Sequence, residues 1–248
     1  MKESDKSRSF RRLFSLYLER YLLHKHFRCV MMKGSVDPKE NLPVLYLANH
    51  SSWWDGLIIF LLTEKVSEFD HYMMMEEKQL KQYAFFRKLG AFPVRKENLR
   101  SVKQALMTAK KNMEDGGAVW LFPQGKILHQ DVRPLELEGG ASFLVRQFEQ
   151  VVVKPVTLQY TFNQFQKPTV SVVFGDDAIV SGSSLRSKEM THMLGDLLET
   201  QLNRHQAQII TDPDFSINEE FKQITRTSQS TSDAFDSVKK WVKTWRSS

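Results

Sequence analysis

The chain has 248 residues, 41% of them apolar and 26% charged, with 11 glycines and 8 prolines, which excludes disordered and collagen-like classes and fits one globular domain. Its single cysteine, Cys29, excludes an intrachain disulfide framework and favours a reducing compartment. The net charge of +6 sits at the ends: residues 1–28 carry eight Lys/Arg against three Asp/Glu, residues 225–248 carry five against two, and the stretch between is close to neutral. Nucleic-acid binders carry their basic stripe on the folded domain, so this distribution points to a membrane surface instead.

In chain order, Phe10, Leu13, Phe14, Tyr17 and Tyr21 share one helical face and Arg12, Ser15, Glu19 and His26 the opposite one. This is a basic amphipathic helix, either interfacial or packed on the domain, and the two Tyr, two Phe and excess Arg favour the interfacial reading. Arg11, Arg12, Glu19 and Arg20 interrupt any signal-peptide core. Val44 to Ala48 suits a buried strand, followed by polar residues 49–55 and a helix from Asp55 that carries Leu57 to Leu62. That apolar run is far short of the roughly 20 residues a membrane-spanning helix needs.

A strand at His71 to Met75, a charged helix at Glu76 to Arg87 and a strand at Gly90 to Val94 come next. The helix Leu99 to Met113 is stopped by Gly116 and Gly117. Then follow a strand at Ala118 to Phe122, a loop at Pro123 to Gly140, a short helix at Ala141 to Phe148, and strands at Val151 to Tyr160 and Thr169 to Phe174. Met193, Leu194, Leu197, Leu198 and Leu202 mark a late helix. Strands alternating with helices predict an α/β fold, a single domain with a mixed, largely parallel sheet flanked by helices. After a polar linker at 226–233, Phe235, Val238, Trp241, Val242 and Trp245 beside Lys239, Lys240, Lys243 and Arg246 predict a second basic amphipathic helix, interfacial or docked. The expected organisation is an N-terminal helix over 1–32, a domain over 33–224, and linker plus helix over 225–248.

The chemistry-bearing segment is Asn49-His50-Ser51-Ser52-Trp53-Trp54-Asp55-Gly56, at a junction where a buried strand gives way to a helix. Open α/β sheets place their sites at such junctions. An Asp accepting from one imidazole nitrogen fixes the tautomer and makes the other nitrogen a base able to take a proton from an alcohol. A His near a carboxylate is also a common structural pair, and the residues alone leave both readings open.

At this point the sequence resembles the glycerolipid acyltransferases of the lysophosphatidic acid acyltransferase type, whose first motif is H-x-x-x-x-D after Asn-His. Gly90-Ala91-Phe92-Pro93-Val94-Arg95-Lys96 is similar to the second motif. Leu121-Phe122-Pro123-Gln124-Gly125 is similar to the third, usually F-P-E-G-T-R, and Val153-Lys154-Pro155-Val156 to the fourth. The four blocks span residues 44–160 in register. The resemblance implies acyl transfer from coenzyme A or acyl carrier protein to a lipid hydroxyl at a membrane surface, without a covalent acyl-enzyme. His50 would be the general base and Asp55 its orienter. Arg95, Lys96, Gln124, Gly125 and Lys126 would hold the acceptor, amides near Gly125 would supply oxyanion donors, and Pro155 would be a motif position.

Two motifs depart from the family pattern. Gln124, Lys126 and Ile127 replace Glu, Thr and Arg, and the second motif ends in Arg95-Lys96. Arginine forks onto phosphate with two parallel bonds, which isoleucine cannot do and lysine does only as a point charge. A phosphate-bearing acceptor is therefore in doubt, with Lys126, Arg95, Lys96 or Arg133 as candidate substitutes. The expected setting is cytoplasmic, peripheral on the inner face of a membrane with anionic lipids, with no metal, cofactor or nucleic acid.

Two other classes compete. Condensation-type and chloramphenicol-acetylating acyltransferases use H-H-x-x-x-D-G, but the position of their catalytic histidine is here Ser51. A non-catalytic lipid-binding or scaffold protein on the same fold would tolerate the altered Gln124 and Ile127, though it would not need His50 and Asp55.

Overall fold

A computed structural model of the protein describes residues 6–229. The helices are α1 (Arg8–Tyr17), which continues through a π-helical turn (Leu18–Leu23) into α2 (His24–His26), then α3 (Asp55–Val66), α4 (Glu77–Gln82), α5 (Phe86–Leu89), α6 (Leu99–Glu114), α7 (Gly140–Val145) and α8 (Ser187–Thr211). The strands are β1 (Val30–Lys33), β2 (Val44–Ala48), β3 (His71–Glu76), β4 (Ala91–Val94), β5 (Ala118–Leu121), β6 (Gln150–Thr161), β7 (Thr169–Phe174), β8 (Ala178–Ser181) and β9 (Lys222–Gln223). They form one sheet in the order β4-β3-β5-β2-β6-β7-β1-β9, with β8 on β6. The pairs from β4 to β6 are all parallel, whereas β6 meets β7 and β8 antiparallel. The fold is the expected mixed, largely parallel α/β sheet.

Both faces are covered, as parallel strands require. On one face Tyr46 and Trp120 stack at 4.2 Å beneath α3, whose residues Leu57 to Leu62 are all buried. A helix apolar all round is a core helix. On the other face α6, α7 and the front of α8 pack on Leu45, Leu47, Val119 and Leu121. Pro155 falls where β6 changes partner on one edge, from β8 before it to β7 after it. Gly175 N–H donates to Pro155 O at 2.8 Å on that edge, so the missing proline N–H coincides with a gap in the ladder.

The N-terminal segment corrects the expected boundary. Helix ends at His26, and Val30–Lys33 is a strand paired with β7, so a division between 32 and 33 would cut β1. Leu18 and Leu23, five residues apart, are both buried because the wider π turn returns to the same face after five residues. Phe14 packs on Phe60 and Phe85, and Arg11 pairs with Glu64 at 2.7 Å. The helix is thus packed along one edge, while Leu13, Leu16, Tyr17 and Tyr21 stay exposed. The start of the expected linker is also docked: Thr225 Oγ1 accepts from Val30 N–H at 2.9 Å, and Ser228 is buried with its N–H on Arg28 O. The expected tail helix, with Trp241 and Trp245, lies outside the described residues.

Candidate active site

β2, β3, β4 and β5 end at the same side of the sheet, and the segments that follow them converge there. His50 follows β2 by two residues and Asp55 opens α3. His50 Nδ1 lies 2.8 Å from Asp55 Oδ2, with Asp55 fully buried and the imidazole 22% exposed. The same Oδ2 accepts from the N–H groups of Ser51 (2.8 Å) and Ser52 (2.9 Å), and Oδ1 accepts from Tyr160 Oη–H at 2.5 Å. Both oxygens of this carboxylate are engaged as acceptors by their other partners. It must therefore accept from His50, so Nδ1 carries the proton and Nε2 is the basic nitrogen. The Tyr160 phenol, buried and next to the Asp55 charge, is pushed well above its ordinary value and remains a donor.

The imidazole is braced from the other side by Phe122, stacked at 4.2 Å. Gln124 is buried, and its Oε1 accepts from the His50 N–H at 2.8 Å, the bond a glutamate would also accept. Leu128 N–H donates to His50 O at 2.9 Å. The β5–α7 loop thus grips His50 through both its backbone groups.

Gly90 and Gly125 owe their identity to backbone geometry. Gly90 has φ +107°, and a Cβ there would lie 2.5 Å from His71 O; Gly125 has φ +67° and closes a turn, its N–H donating to Phe122 O at 3.0 Å. The Gly125 amide is thereby committed to the turn, so an oxyanion donor has to come from elsewhere in the loop.

The expected acceptor residues line the rim. Arg95 is exposed, with Nε 3.7 Å from Glu77 Oε2, and Lys96 Nζ bonds Gly125 O. Lys126 and Ile127 are exposed, Lys126 with no partner among the described residues. Arg133 is turned to Asn203 Oδ1 (2.7 Å) and to the carbonyls of Gln130 and Val132. Sequence reasoning missed Tyr160, Gln130 and Phe122 as site residues; Tyr160 stands 105 residues from Asp55, and strand periodicity from Val156 could at most have assigned it to the α3 face.

Residues 29–159 match the acyltransferase family. The chain belongs to this family. Among solved structures it is similar to the 1-acyl-sn-glycerophosphate (LPA) acyltransferase PlsC from Thermotoga maritima, at a TM-score of 0.58 and 16% identity over 79% of this chain and 81% of that one. At that identity the likeness shows the fold. No curated protein sequence matches the chain significantly. Among the described residues, no helix is long and apolar enough to cross a membrane.

Proposed function

We propose that the protein transfers a fatty acyl group from an acyl thioester, acyl coenzyme A or acyl-acyl carrier protein, to a hydroxyl of a membrane lipid. The observation that carries this reading is the His50–Asp55 pair, with Nδ1 committed to a buried carboxylate and the ring edge partly open. Nε2 takes the acceptor hydroxyl proton as the oxygen attacks the thioester carbonyl. The tetrahedral intermediate collapses with cleavage of the C–S bond, and the imidazolium returns its proton to the leaving thiolate. Gln124 holds the His50 backbone, and its amide nitrogen, which has no partner among the described residues, is free to donate to a substrate oxygen.

For the acceptor we favour a neutral or glycosylated lipid over a lysophosphatidic acid. Supporting this, Ile127 replaces the motif arginine, Glu77 offsets Arg95, and Arg133 is turned toward Asn203. Exposed Leu13, Leu16, Tyr17 and Tyr21 on a basic helix support peripheral attachment to the cytoplasmic face of an anionic membrane.

The test is turnover of a radiolabelled acyl thioester by the purified protein against glycolipids, neutral lipid alcohols and lysophosphatidic acid. Transfer to a neutral or glycosylated acceptor, lost in His50→Ala, is expected. Preference for lysophosphatidic acid would overturn the acceptor reading and make Lys126, Arg95 and Lys96 the phosphate ligands. No transfer to any hydroxyl would leave a lipid-binding scaffold.

A further inference from the structure

Strand β2 stops at Ala48, yet its neighbour β6 runs on to Thr161, so the backbone groups of Leu158 and Tyr160 that face β2 have no strand beside them. Two side-chain carboxamides take its place. Asn49 Nδ2 donates to Leu158 O at 3.1 Å while its Oδ1 accepts from Leu158 N–H at 2.8 Å. Gln130 repeats the arrangement one pair further on, Nε2 to Tyr160 O at 3.3 Å and Tyr160 N–H to Oε1 at 3.0 Å. Each carboxamide supplies the donor and acceptor of a peptide group, so the ladder continues after the strand has ended. The consequence falls on Tyr160. Alternation puts its side chain on the α3 face with Val156 and Leu158, and its hydroxyl reaches Asp55 Oδ1.

We propose that Tyr160, clamped by Gln130, is a positioning residue of the dyad: its hydroxyl anchors Oδ1 of Asp55 so that Oδ2 stays in the plane of the imidazole and keeps His50 in the tautomer whose Nε2 is free. This inference rests on the reading of His50 as the base. The Tyr160 hydroxyl is taken up by Asp55, so it acts through that carboxylate. Without it Oδ1 would be a buried acceptor lacking its donor, held only through the bonds at Oδ2, and free to turn. Among the described contacts, Tyr160 is the one titratable side chain bonded to the dyad.

The experiment titrates the His50 ring nitrogens by 15N NMR in the full-length protein, without substrate, for wild type and Tyr160→Phe. Removing a donor from the carboxylate strengthens its pull on the imidazolium, so the His50 midpoint is expected to rise by about one pH unit. Replacing Tyr160 site-specifically by 3-fluorotyrosine, an isosteric and stronger donor, should move the midpoint the other way, and that substitution decides between the outcomes if the phenylalanine variant does not fold. In turnover, Tyr160→Phe should lower kcat about tenfold with KM within about twofold, and carry the acid limb of the pH–rate profile upward with the midpoint. An unmoved midpoint in the folded variant overturns the proposal whatever the kinetics. Undiminished turnover by His50→Ala would instead overturn the base reading, and the NMR result on Tyr160 and Asp55 would stand apart from it.

Discussion

The dyad and the rim of this site are built on opposite terms. Asp55 is fully buried and both its oxygens are occupied, and His50 is held through its ring and both backbone groups. Arg95, Lys96 and Lys126, by contrast, are exposed cations, two of them turned to neighbours and one to solvent. Buried, fully bonded groups keep one geometry because leaving any donor or acceptor unmade is costly, whereas exposed ion pairs hold little energy and exchange readily. On the proposed function the base is specified tightly while the rim is replaceable, which is why Ile127 can stand where the family has arginine without disturbing His50; Gln124 is buried and keeps the bond to the His50 N–H that a glutamate would also accept.

The most direct way to break this comparison is His50→Ala. It should lower turnover by roughly a thousandfold in a protein with an unchanged melting profile, because base catalysis supplies about 10²–10⁴ in rate. A loss under tenfold, measured with the thioester assay, would dissolve the distinction between dyad and rim. Asp55→Asn comes next, at about a hundredfold, since the imidazole remains but its orienting anion is gone.

A third test asks whether tight burial on this fold extends beyond the dyad. His71 receives the Trp120 indole N–H at Nδ1 (2.9 Å) and bonds Ser67 Oγ, and His205 bonds Thr157 and Ser171. Burial pushes both imidazoles down to about 3 from 6.5. The unfolded chain therefore takes up protons that the folded chain does not between pH 6.5 and 3. The stability these groups contribute is fully present above 6.5 and is lost as pH falls toward 3. At pH 5 each should have cost roughly 2 kcal/mol, read as a fall in urea midpoint that His205→Gln makes shallower. The smallest effect belongs to the rim: Lys126→Ala should change kcat/KM for a neutral lipid acceptor by less than about threefold, and a larger loss would bring Lys126 into the site proper.

How far the sequence could go follows the same division. Val44 to Ala48 and Leu57 to Leu62 announce a strand and a helix by their own pattern, and His50 and Asp55 fall between them at fixed spacing, so the dyad is legible locally. Tyr160 and Gln130 are not, because their roles depend on β2 ending before β6 does, a fact about register that no segment carries by itself. The N-terminal boundary fails for a related reason. Val30–Lys33 is a short strand holding two unbranched methionines directly after a helix, and only its pairing with β7 makes it a strand. Helix α8 runs for 25 residues, and past Leu202 its buried face continues through His205, bonded to Thr157 and Ser171, to Ile209, so a polar residue interrupts the apolar spacing there.

The bonds from the β5–α7 loop to the site bear on how substrates come and go. That loop is tied to His50 O by Leu128, to Tyr160 by the Gln130 carboxamide, and to itself by Glu138 N–H on Pro123 O at 2.8 Å. Swinging it open would break its bonds to both backbone groups of His50, so on the proposed function it is poorly suited to serve as a door between turnovers. If His50 and Asp55 act as proposed, they are accordingly set before either substrate arrives. On the same reading, substrates would pass the exposed cationic rim instead, where side chains can move aside without disturbing the His50–Asp55 contact.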